Sequence, residues 1–213
     1  MLAQTARQEV LLEYSNLGLA DHCPLGVYVV PSDESVFLWH CTLFVHRGYY
    51  ASSILHFRLL IPQSYPSAPP SVVFDSPLFH PLVDPSSGRL RLDARFPTWR
   101  PRQDFLSHVL HYVKGVMKRR ALDGLREAFC ANGEAYDMYR HSPAQFARLA
   151  AQSARLSTAP SNLYRPCPPR SEDAPVTPIQ FRRLEEPEEE RLRDEVRRLG
   201  EGKVVKRQAA GLD

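Results

Sequence analysis

Apolar residues fall along the chain in two rhythms, and the change from one to the other lays out the elements. From Ala3 to Asn16, Val10, Leu11, Tyr14 and Leu17 recur at helical spacing and Gly18 stands where a helix would stop, so an amphipathic helix is predicted. The rhythm then becomes alternation. Gly26–Pro31 reads as a short strand, and Val36–Val45 as a longer one with Phe37, Trp39, Cys41, Leu43 and Val45 on one face. Ile54–Ile61 follows with Leu55, Phe57, Leu59 and Ile61 on one face, and Val72–Phe74 supplies a fourth strand. The connections are short, which argues for an antiparallel meander.

Helical spacing returns after a long irregular stretch. Leu106, Val109, Leu110, Val113, Val116 and Met117 form a broad apolar stripe within Gln103–Arg119, as expected of a helix lying across a sheet. Glu134–Tyr139 reads as one short helix. His141-Ser142-Pro143 then offers an N-cap and a first-turn proline to a helix carrying Phe146, Leu149, Ala150 and Leu156. The order predicts an α+β domain over residues 1–158: a four-stranded antiparallel meander packed by an N-terminal helix and C-terminal helices.

From Ala159 the pattern lapses. Ser161–Pro178 is rich in proline and serine and reads as an extended linker. Glu185–Leu199 has an acidic start, an Arg-rich end and Glu/Arg pairs at helical spacing, which predicts an isolated helix. Its apolar stripe is thin, only Leu192, Val196 and Leu199, so it reads either as a solvated, partly helical tail or as a docking helix. Residues 159–213 are therefore expected to be linker and charged tail.

Composition narrows the function. A chain of 213 residues holds one domain with a real core plus a tail. A net charge of +3 does not announce a nucleic-acid surface. Cys23, Cys41, Cys130 and Cys167 are far apart without CxxC spacing, so neither a metal site nor a disulfide framework is expected, and reduced thiols suit a cytosolic or nuclear protein. No apolar run is long enough to span a bilayer and no signal peptide is evident, so a soluble protein is expected, peripheral to a membrane only through partners.

The candidate chemistry lies in Ser76–Trp99, SPLFHPLVDPSSGRLRLDARFPTW, and in the preceding IPQSYPSAPPSVVF. Pro62-x-x-Tyr65-Pro66-x-x-Pro69-Pro70, then His80-Pro81, Gly88, Leu92-Asp93, Trp99 and Pro101, resemble the centre of a ubiquitin-conjugating enzyme. Leu38–Leu43 and the Gly48-Tyr49-Tyr50-Ala51 turn, with Tyr139 and Phe146, match further markers of that family in order. Each motif is weak singly; the ordered set is specific. Leu12-Glu13-Tyr14, Pro24–Val29 and Phe79–Pro85 resemble more narrowly the AKT-interacting (fused-toes) branch of inactive variants.

That resemblance implies an adaptor rather than an enzyme. Arg91 stands where the family's nucleophilic cysteine is found; a guanidinium stays protonated and forms no thioester. Leu82 replaces the asparagine of His-Pro-Asn, whose loss as an oxyanion donor is worth roughly 10²–10³ in rate. Ser67 and Arg100-Pro101-Arg102 replace the usual ligase-gripping residues. The degenerate site is thus His80, Pro81, Leu82 and Arg91, with His80 read as a structural corner and Cys130 as a poor substitute nucleophile. Arg89, Arg91, Arg95, Arg100 and Arg102 form a candidate basic partner face, without an acidic partner in the neighbouring segments; Tyr139, Phe146 and Leu149 offer an alternative apolar face.

The branch implies partners: Hook-type coiled-coil microtubule linkers and a large helical adaptor in dynein-linked vesicle transport, with the kinase AKT, at endosomal or plasma membrane. No cofactor, metal or nucleic acid is implied. The competing reading is an accessory of the ubiquitin system that holds ubiquitin non-covalently or partners an active conjugating enzyme.

Overall fold

The alternating segments pair in sequence order into one antiparallel sheet: β1 (Val27–Pro31), β2 (Leu38–Val45), β3 (Ser53–Leu60), β4 (Ser71–Phe74) and β5 (Arg89–Leu90). The computed structural model describes residues 2–164 and 181–209, with side chains over 5–164 and 181–198. The meander is as expected except that it has five strands, not four. The fifth is two residues long, Leu90 opposite Val72 and Arg89 opposite Val73. A pair of residues carries no alternation, so hydropathy does not reveal it.

Register puts Trp39 opposite Leu59, Cys41 opposite Phe57 and Leu43 opposite Leu55, so these side chains face one core. All six are buried. Across that face lies α2 (Leu106–Val116), whose buried stripe is Leu106, Val109, Leu110, Val113 and Val116. The helix is shorter than Gln103–Arg119. Asp104 accepts the Arg100 backbone N–H at 2.9 Å, closing a turn upstream, and Phe105 is extended at φ −121°, ψ 162°. Downstream, extended Lys118 separates α2 from α3 (Arg119–Asp123).

The first helix, α1 (Leu2–Asn16), buries Ala6 and Val10 and sets Tyr14 edge-on to Trp39 at 5.5 Å. Leu11, expected on that stripe, is 45% exposed. One residue is 100° of helix, so the buried line runs 6, 10, 13, 14, 17 and passes Leu11 by.

After a 3₁₀ turn at Glu127–Phe129 come α4 (Gly133–His141) and α5 (Pro143–Ser157). The Asn132 side chain caps α4 by accepting the Ala135 N–H at 3.0 Å. Ser142 sits at the α5 N-cap, but its hydroxyl makes no cap bond; Pro143 at the first position and the Ser142 carbonyl begin that helix. Tyr139 and Phe146 meet edge to face at 5.0 Å, with Tyr49 closing the cluster at 5.2 Å from Phe146. Both are buried, so they belong to the core and do not offer the apolar docking face expected of them with Leu149.

Past Thr158 a four-residue helix, α6 (Pro160–Leu163), replaces the start of the expected extended linker; residues 165–178 of that linker lie outside the described residues. The chain divides into two units, Met1–Gln180 and Phe181–Asp213. The second carries α7 (Glu186–Ala209), longer than the expected Glu185–Leu199. On α7, Leu192 and Val196 are exposed and Glu189 pairs with Arg193, while Arg182, ahead of the helix, pairs with Glu188; the side chain of Leu199, the third residue of the expected stripe, lies outside the described residues.

Candidate functional site

The long loop between β4 and α2 is held as a rigid frame by its own polar groups. His80 is fully buried. Its Nδ1 accepts the Leu82 N–H at 3.0 Å and its Nε2 lies 3.1 Å from the Val116 carbonyl. This pattern assigns the Nε2–H tautomer, with both ring nitrogens satisfied. Burial pushes its pKa down to about 4. A neutral imidazole spent on two backbone groups is a corner brace. The Pro81 carbonyl accepts two N–H groups, from Ala131 and Asn132, both at 2.9 Å, which ties the corner to the cap of α4.

Leu82 points into the core, 1% exposed, and its carbonyl accepts the Arg91 N–H at 2.9 Å. No side-chain donor is offered there. Between them the chain turns at Asp84–Gly88. One carboxylate oxygen of Asp84 accepts the backbone and hydroxyl groups of both Ser86 and Ser87, at 2.6–3.1 Å, which lowers its pKa to about 2. Gly88, at φ +69°, donates to the Asp84 carbonyl, and a Cβ there would collide with the Phe74 carbonyl oxygen. Only glycine fits that position.

Arg91 leaves β5 half-exposed. Its guanidinium pairs with Asp93, through Nε at 3.1 Å and through Nη2, and its carbonyl accepts the Tyr112 hydroxyl at 3.1 Å. Its pKa is raised, chiefly by the Asp93 hydrogen bond. Cys130 is near enough to feel Arg91 and Arg140, but burial and then Glu127 push its thiol up instead, and its Sγ–H is spent on the Arg126 carbonyl. The thiol is therefore protonated at neutral pH, and its nucleophilic thiolate scarce.

The five arginines do not form the unpaired basic face expected of them. Arg91 is neutralised by Asp93, two residues on. Arg100 grips Asp104 through Nε at 3.2 Å and Nη2 at 2.9 Å, holding that carboxyl below its usual range. Arg102 lies 3.8 Å from Glu9 of α1. Arg95 covers the Phe96 ring at 5.5 Å, and Arg89 is exposed on the edge strand β5. The acids were missed because one pair spans only two residues and another is closed by a distant helix.

The expected ligase-facing loops are clasped together: Trp99 Nε1 donates to the Pro66 carbonyl at 2.7 Å, with exposed Ser67 beside it. Glu13 of α1 is the residue that hydropathy overlooked. Its carboxylate takes the Tyr65 hydroxyl and, at 2.6 Å, the Leu106 N–H at the start of α2. Burial raises its pKa. The signal was available: a glutamate three residues after Val10 shares the buried stripe.

Comparison with known proteins agrees with this frame. The ubiquitin-conjugating enzyme family model matches residues 10–154. A protein crossbronx homolog of Culex quinquefasciatus is 36% identical over 171 residues, 78% of this chain and 72% of the relative. A second from Anopheles gambiae is 33% identical over 65% of this chain and 60% of its own length. Human AKT-interacting protein is 36% identical over 135 residues, 63% of this chain, so the chain spans less than half, 44%, of that relative's length. The chain belongs to the ubiquitin-conjugating enzyme family, on the variant branch of the AKT-interacting proteins and crossbronx homologs.

Proposed function

We propose that this chain is a catalytically inactive ubiquitin-conjugating-enzyme variant that works as a protein-binding adaptor. One observation supports the reading: Arg91, which the family resemblance sets at the position of the nucleophile, is tied to Asp93, while the neighbouring Leu82 is sunk in the core. Thioester exchange needs a thiolate and a donor for the oxyanion; that arrangement supplies neither. The brace at His80 keeps the loop's shape, so what persists is a scaffold. Residues 1–158 form the adaptor domain, with 159–213 as its appended tail.

The name of the human relative supports AKT as a partner. Hook-type coiled coils with a large helical adaptor, in dynein-linked transport of endosomes, follow from the branch resemblance. A cytoplasmic protein peripheral to endosomal or plasma membrane through those partners fits the reading, and among the described residues no helix is long and apolar enough to cross a bilayer. The test is capture by the immobilised full chain of purified AKT, of a Hook-type coiled coil and of ubiquitin in parallel. Retention of AKT or the coiled coil supports the adaptor. Retention of ubiquitin alone, or of an active conjugating enzyme added in its place, transfers the function to a ubiquitin-system accessory.

A further inference from the structure

At the end of the sheet where β2 runs out beside the C-terminal end of α2, the surface opens into a notch of about 290 Å³. Its floor is closed by Leu43 and Met117, both almost fully buried, while the Phe44 ring turns to the other face of the sheet against Tyr28. Leu25 stands at its lip, 88% exposed, the most exposed large apolar side chain among the described residues. Gly26 next to it, at φ +82°, sets that turn, and its carbonyl accepts the Phe44 N–H at 2.9 Å. Lys114 Nζ donates to the Leu25 carbonyl at 2.6 Å and holds the lip in place. Leu25 is therefore presented by a fixed turn.

The rim is cationic. Arg47, Lys114 and Lys118 line it, and no aspartate or glutamate does. Among the described residues neither Arg47 nor Lys118 forms an ion pair, in contrast to Arg91, Arg100 and Arg102. The notch cations are thus free of the acids that hold Arg91, Arg100 and Arg102. Its volume sits at the small end of ligand pockets, which begin at about 300 Å³, and holds one or two side chains rather than a cofactor.

We infer that this notch docks an acidic protein segment, one that seats a bulky apolar side chain against Leu25, over the floor that Leu43 and Met117 close, while its Asp or Glu residues meet Arg47, Lys114 and Lys118. Charge complementarity selects that occupant, since three like charges around an apolar floor repel a basic peptide and orient an acidic one. Concavity favours a peptide over a bilayer, because a flat surface does not reach the recessed Leu43 and Met117. The inference is independent of whether the Arg91 site is inactive.

The experiment titrates the full chain into an array of fluorescein-labelled peptides with acidic flanks and a central Leu, Ile, Phe, Met or Trp. Matched peptides with lysine flanks serve as controls, and phosphatidylserine–phosphatidylcholine vesicles as a separate probe. Anisotropy should show acidic peptides bound at least about tenfold tighter than their controls. Binding should weaken between 50 and 500 mM salt as the rim charges are screened, and fall about tenfold in Arg47→Glu/Lys118→Glu and in Leu25→Ser. These side chains are exposed, so the melting temperature of each variant should match the parent. No acidic peptide bound above its control, affinity unchanged in both variants, or notch-dependent binding to vesicles alone would overturn the inference.

Discussion

His80 offers the sharpest test of the view that the loop survives as a brace. The imidazole is fully buried and neutral, with its pKa lowered from 6.5 to about 4. A group whose folded pKa lies below its unfolded value binds its extra proton in the unfolded chain. Stability is therefore constant above about pH 6.5 and falls as pH drops toward 4, with a limiting slope of about 1.4 kcal/mol per pH unit. Integration over that window gives a loss of about 2 kcal/mol by pH 5 and about 3 kcal/mol below pH 4. With a urea slope of about 2 kcal/mol/M, the midpoint at pH 5 should lie about 1 M below that at pH 8. The paired perturbation is His80→Gln. Its amide presents an acceptor for the Leu82 N–H and a donor for the Val116 carbonyl but does not titrate. It should cost about 1–3 kcal/mol at pH 8 through imperfect packing, and its profile should be flatter than the parent's. Glu13, raised by burial, titrates in the opposite sense but is common to both chains and cancels in the difference. Urea unfolding at constant ionic strength from pH 8 to pH 4.5 reads both curves. Parallel profiles would refute the assignment of a neutral, buried His80.

Gly88→Ala forces a Cβ into the Phe74 carbonyl at a left-handed φ, so chemical denaturation should show a loss of about 2–4 kcal/mol, and a neutral result would remove the strain argument. Glu13→Ala strands the Tyr65 hydroxyl and the Leu106 N–H together and should cost about 1–3 kcal/mol, with Glu13→Gln recovering part of it; a neutral Glu13→Ala would show that the two hydrogen bonds contribute nothing. A fragment ending at Thr158 should melt cooperatively within about 4 °C of the full chain, since the Ile54 N–H still finds Ser157; a drop beyond about 10 °C would show that the later residues stabilise the domain.

The core was legible because its rhythm is strict. Trp39, Cys41, Leu43, Leu55, Phe57 and Leu59 alternate, and the α2 stripe repeats at helical spacing, so burial followed from hydropathy alone. The family frame of this loop was legible through the order of His80, Gly88 and Trp99. What escaped was decided by single tertiary contacts. Strand β5 is only two residues of edge pairing, and α2 is cut short by an Asp104 turn and by Lys118. The arginines looked unpaired because Asp93 and Asp104 lie within the same loop and Glu9 comes from α1. Charge on a sequence does not say which acids fold back onto it. Tyr139 and Phe146 were equally ambiguous, since an aromatic helix face is drawn the same way whether it meets a partner or the Tyr49 ring.

The central claim is that the fold persists without its transfer chemistry, and thioester formation tests it most directly. The full chain is incubated with ubiquitin-activating enzyme, ATP and ubiquitin, then resolved with and without reducing agent. The account predicts no thiol-sensitive ubiquitin adduct on the parent chain; Arg91→Cys serves as the comparison for charging, with onward transfer still poor because Leu82 provides no oxyanion donor. A reducible adduct on the parent chain that disappears in Cys130→Ala would contradict it.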